Sequence, residues 1–137
     1  MPECVERTGD LAPHLAAIRA YLLRMALTDL QVAQARKLLT AYCDRVPARV
    51  RDKLRHDFRI SGNSVELFEV RPRYDRPSEW IEEPVAKFRY VGTRQVWELY
   101  CRFRDLKWHR YEPRPEARTF QVLLNEVEKD PTCIFWG

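Results

Sequence analysis

Glycine is scarce in this chain of 137 residues: four in all, at 9, 62, 92 and 137, each isolated. No glycine-rich loop is therefore present to cradle a phosphate. The serines are fewer still, Ser61, Ser64 and Ser78, and none has the G-x-S-x-G context of a hydrolase nucleophile. No apolar run approaches the roughly 18–20 residues of a membrane span, which excludes an integral helical membrane protein. The opening Met1-Pro2-Glu3-Cys4-Val5-Glu6 is acidic and lacks the basic-then-apolar order of a secretory leader. Cys4, Cys43, Cys101 and Cys133 include no C-x-x-C pair, and His14, His56 and His109 lie far from one another and from any cysteine. Local zinc and redox motifs are thus missing, and no metal or cofactor is expected. The chain is long enough to fold without disulfide staples. Cys43 and Cys101 accordingly read as small buried hydrophobes, and the cytoplasm as the compartment.

What is present is a 45% hydrophobic, 32% charged composition with net charge +4, which suits one packed domain over 1–137. Leu11, Leu15, Ile18, Leu22 and Met25 recur at helical spacing and predict an added first helix within 1–27. Thr28 and Gln31 form a capping-box pair ahead of a second stripe, Val32, Ala35, Leu39, Tyr42 and Val46. Pro47 ends that helix or opens a short third one, with Val50 and Leu54 inward. From Phe58 the period becomes alternating. Strands are predicted around Phe58–Ile60, Val65–Arg71, Val85–Val91, Val96–Phe103 and Lys107–Tyr111. A tight Gly62-Asn63 turn and an acidic, proline-rich loop from Pro72 to Pro84 separate the earlier ones. Phe120, Leu123, Leu124 and Val127 predict a last helix. The apolar end, Cys133 to Gly137, should dock on the body. The expected fold is α+β: N-terminal helices, a four- to five-stranded antiparallel meander, and a C-terminal helix with a docked tail.

Five ordered stretches carry a resemblance: Val65-Glu66-Leu67-Phe68-Glu69-Val70-Arg71-Pro72, Pro84-Val85-Ala86-Lys87-Phe88-Arg89-Tyr90, Trp97-Glu98-Leu99-Tyr100, Trp108-His109-Arg110-Tyr111 and Ile134-Phe135-Trp136-Gly137. Together they resemble a bacterial family known as domain-of-unknown-function family 3024, from about Val32 to the end, with 28–137 as the family-like core. The resemblance implies a small cytoplasmic bacterial protein. It implies no activity, cofactor or catalytic residue.

Charge is unevenly spread. Six basic residues stand against two acids between 45 and 60, and four against one between 102 and 110. Three stand against six between 66 and 83. Arginine dominates both basic stretches, and its planar fork suits phosphate and stacked bases. Tyr100, Phe103, Trp108 and Tyr111 interleave the second, the combination single-strand binders use. The favoured role is a non-enzymatic binding or accessory module, with a protein partner or a homodimer ahead of a polyanion. The most concrete site is a basic face of Arg49, Arg51, Arg55, Arg102, Arg104 and Lys107 that contacts a polyanion, nucleic acid above all. It requires the two stretches to share one side of the fold.

The enzymatic alternative is a metal-dependent nuclease using Glu69, Asp105, Lys107 and His109. Carboxylates would hold the cation, and the lysine would steady the attacking water. It requires these four side chains to converge. Glu69 and Arg71 share a strand face and read first as a structural ion pair.

Overall fold

The computed structural model describes residues 14–18 and 27–137. Residues 14–18 are helical and exposed. The rest of the first stripe, Leu11, Leu22 and Met25, lies outside the described residues. From residue 27 the chain builds α1 (Asp29–Cys43), one 3-10 turn (Ala48–Val50), β1 (Arg55–Ser61), β2 (Ser64–Pro72), β3 (Trp80–Val91), β4 (Val96–Arg102), β5 (Trp108–Arg110), β6 (Glu116–Ala117) and α2 (Phe120–Lys129). The strands form one antiparallel sheet in the order β1-β2-β3-β4-β5, and the two-residue β6 pairs with β4. This is the expected α+β meander with one short strand added.

Local chemistry sets the boundaries. Thr28 Oγ1 accepts from the Gln31 backbone N–H at 3.2 Å, and Gln31 Oε1 accepts from the Thr28 N–H at 3.0 Å. Both ends of the box are closed, worth about 1 kcal/mol to the helix. Gly62, at φ +56°, takes the first position of the two-residue loop joining Ser61 to Ser64, where a side chain would be strained.

The alternation then sorts the faces. Val65, Leu67, Ala86, Phe88, Tyr90, Trp97, Leu99 and Cys101 point to one side and are buried. Against them pack Ala35, Leu39 and Tyr42 of α1 and Phe120, Leu123, Leu124 and Val127 of α2. The Phe88 and Phe120 rings meet at 4.6 Å between centroids.

Two boundaries differ from expectation. The stretch 72–84 is not all loop: β3 begins at Trp80, and Ile81, Glu82 and Glu83 pair with Arg71, Val70 and Glu69. The acids there are matched by partners: Glu83 meets Arg71 at 2.7 Å and Glu82 meets Arg59 at 3.0 Å. Pro84 is tolerated because the register shifts beside it, where the ladder is already interrupted. The third helix is a single 3-10 turn. There Arg51 folds back, its Nε donating to the Val46 carbonyl and its Nη2 to the Asp44 carbonyl, and β1 takes up the chain four residues later.

The tail docks as expected. Asp130, in the left-handed conformation, caps α2. Its carboxylate accepts the Phe135 and Trp136 N–H groups at 3.1 and 2.8 Å. That clasp buries Phe135 against Tyr111 and stacks Trp136 on His56 at 4.5 Å.

Candidate functional site: the helix-free face of the sheet

Every second residue of the strands points away from the helices, and register aligns these residues into rows. One row runs Arg59, Glu66, Lys87, Tyr100, Arg110; another runs Arg89, Glu98, Glu116. Among the described residues, no helix packs on this face.

Its two halves differ in charge balance. Beside β1 the charges are met locally. Arg59 pairs with Glu82 and lies 5.0 Å over the Phe68 ring, and Arg55 lies 4.7 Å over Trp80. On β3–β5 four charges form a closed quartet. Glu98, only 6% exposed, receives Arg110 at 3.0 Å and Arg94 at 3.4 Å. The same two arginines reach Glu116, at 3.7 and 2.6 Å. The Tyr100 hydroxyl donates to Glu98 at 3.0 Å. Burial, then the neighbouring Glu98, raises the Tyr100 pKa and keeps the phenol protonated.

The quartet neutralises itself, and Lys87, Arg89 and Arg102 are left around Tyr100 and Trp108. Lys87 takes part in no ion pair among the described residues and stands opposite Glu66 in the register, Arg89 stands opposite Glu98 and reaches the Tyr100 hydroxyl, and Arg102 lies 5.8 Å over the Trp108 ring. Arg102 Nη2 donates to the Leu106 carbonyl at 2.9 Å, while its Nε–H has no acceptor. Tyr100 and Trp108 are both half-buried. This arrangement sets three cations that no ion pair holds among the described residues beside two half-buried aromatic side chains.

The two basic stretches do not share one patch. Arg55 on β1 and Arg102 on β4 are separated by β2 and β3, about 14 Å at ordinary strand spacing, with Glu82 between them. Arg51 and Arg55 are also occupied: Arg51 holds two carbonyls and Arg55 Nε donates to the Arg51 carbonyl. Arg49 is exposed on the 3-10 turn. Arg104 and Lys107 are exposed in the β4–β5 turn, near Arg102.

The four nuclease residues are only partly brought together. His109 Nε2 lies 2.8 Å from Asp105 Oδ2, and Asp105 Oδ1 accepts the Lys107 N–H at 2.9 Å. The Lys107 N–H, then His109, holds the Asp105 carboxyl below the usual range. Glu69 is on β2, three strand spacings or about 14 Å from β5. It sits 3.9 Å from Arg71, which gives Glu83 the closer contact at 2.7 Å. Among the described residues no three His, Cys, Asp or Glu side chains are grouped to hold a metal.

A separate cleft of about 380 Å³ between α1 and β1 is lined by Thr40, Cys43, Arg51, Arg55, His56 and Asp57. Burial, with Asp57 and Asp44 adding to it, pushes the Cys43 thiol up to about 12. Burial lowers the His56 pKa, with Glu69 opposing. A protonated thiol beside a neutral imidazole is the reverse of an activated pair.

The match to known proteins can be set beside this geometry. The model of the family described as Domain of unknown function (DUF3024) matches residues 27–137. The chain belongs to that family. The DUF3024 match takes in the Thr28 cap, the whole sheet, α2 and the tail, so every residue of the helix-free face falls inside it. No curated protein matches the chain, and neither does any solved structure.

Sequence reasoning missed Lys87, Arg89, Tyr100 and Trp108 as one group. The signal was there in part, because Lys87 and Arg89 alternate with Phe88 and Tyr90. Which strand lies beside β3, and in what register, is not written in that alternation.

Proposed function

We propose that this DUF3024 protein is a non-enzymatic binding module that contacts a polyanion through the helix-free face. The observation that carries it is the charge balance on β3–β5. Two acids are consumed by Arg94 and Arg110, and Lys87, Arg89 and Arg102 remain beside Tyr100 and Trp108. Arg104 and Lys107 extend the same corner. Arg49, Arg51 and Arg55 do not belong to it.

The test is fluorescence anisotropy with labelled nucleic acid between about 50 and 200 mM salt. Three phosphate contacts give a log–log slope of about −2 with single strands. Reversal by Lys87→Glu with Arg102→Glu should flatten the slope and abolish binding at low salt. Arg49→Glu should leave both unchanged. Absence of binding at low salt, or equal loss with Arg49→Glu, overturns the reading.

A protein partner has one observation of its own. Phe103, Leu106 and Ile134 are exposed, and Phe103 stacks on His109 at 4.0 Å. Phe103 directly follows Arg102 in the chain, so this apolar edge supports a second contact beside the charged face.

A further inference from the structure

The polyanion reading says nothing of how the ligand is recognised, and the two aromatics do. Tyr100 pairs with Arg110 and Arg102 pairs with Trp108. Trp108 is therefore the diagonal neighbour of Tyr100 on one face. Diagonal cross-strand neighbours lie about 7–8 Å apart, close enough for consecutive unstacked bases of one strand to reach both rings. Both residues are half-buried, so part of each side chain remains accessible. Arg102 lies 5.8 Å from the centre of the Trp108 ring, within cation–π range, which sets a positive charge beside the same aromatic. Lys87 and Arg89 flank the pair on β3.

A duplex hides its base faces and would use the cations alone. The rings would then be idle, and among the described residues no helix packs on this face to enter a groove. Heparin or polyphosphate has no base to stack.

We infer that the ligand of this face is single-stranded nucleic acid, with successive bases stacked on Trp108 and Tyr100 and the intervening phosphates held by Lys87, Arg89 and Arg102. The inference rests on the polyanion reading and goes beyond it by naming the strand state and the stacking residues.

The full chain is titrated, at about 50 mM salt, with a labelled mixed-sequence single strand, the duplex of the same sequence, and heparin as competitor. The single strand should bind at least about 10-fold more tightly than the duplex. Loss of one stacking contact corresponds to a loss of roughly 10- to 100-fold. Trp108→Leu, which keeps apolar volume, should show that loss for the single strand and little change for the duplex. Trp108→Phe should recover most of it. Tyr100→Leu gives an independent reading on a second strand should the Trp108 variants fail to fold, which circular dichroism reports. Comparable affinity for single strand, duplex and heparin, with Trp108→Leu and Tyr100→Leu as good as wild type, overturns the stacking inference and leaves the polyanion reading standing. No binding to any of the three probes overturns both.

Discussion

The two faces of this one sheet are built by different physics from the same strands. Toward the helices, Phe88, Leu99, Leu67 and Val65 are fully buried, and each position is specified by volume. Toward the open side, neighbours on the same strands, Lys87, Arg89, Glu98 and Tyr100, are specified by partner charge and register. Burial is strong and indifferent to direction; ion pairs at a surface are weak but selective. The covered face therefore holds the fold, and the open face is free to carry unbalanced charge.

The sharpest way to break this contrast is Phe88→Ala. It empties a site with no exposure, packed on Phe120, and should cost about 3–5 kcal/mol in urea unfolding. A cost below about 1 kcal/mol would mean the helix side is not the main source of stability.

Next in size is an alkaline effect that is largest beside α1. Burial raises Tyr42 from 10.0 to about 12, and Cys43 from 9.0 to about 12. The unfolded chain releases both protons first. Stability is thus complete below about pH 9 and falls as pH rises toward 12, by on the order of 4 kcal/mol at pH 11 for the two groups together. Denaturation series at several pH values should show the fall. Tyr42→Phe should remove the part that begins near pH 10.

Glu98→Gln probes the open side where it is most buried. Arg94 and Arg110 would lose a charge partner but keep Glu116, so about 1–2 kcal/mol should be lost. Release of Arg110 should also strengthen single-strand binding in the anisotropy assay. Weaker binding would mean that the quartet itself is the contact surface.

The smallest effect belongs to Arg59→Ala. Its pair with Glu82 is half exposed, and a loss of under about 0.5 kcal/mol is expected by thermal unfolding. A loss above about 2 kcal/mol would place structural weight on the open face and undo the contrast.

Much of the architecture was legible in the chain. The stripe Ala35, Leu39 and Tyr42 and the stripe Phe120, Leu123, Leu124 and Val127 name their own buried sides, because helical periodicity is a local property. The alternation of Phe88 and Tyr90 with Lys87 and Arg89 names two strand faces for the same reason. The start of β3 was hidden because Glu82 and Glu83 look like loop residues until Arg59 and Arg71 stand opposite them. Asp130 ends α2 in the left-handed conformation. Its second role, holding the tail by two N–H groups, depends on where the chain turns next.

For the site, the sequence supplied the ingredients: arginine in two stretches and aromatics interleaved in the second. It did not supply their sorting. Arg51 and Arg102 are equal in a charge count. The fold turns Arg51 onto the Val46 and Asp44 carbonyls, and sets Arg102 over Trp108 with one contact to the Leu106 carbonyl. Periodicity and capping act over a few residues, so the chain alone determined its helices, most of its strands and the side each one buries. The meander order was also expected from the chain, whereas register and the pairing of charges act between residues far apart in sequence. Only the tertiary structure could decide which cations were spent and which were left beside Tyr100 and Trp108.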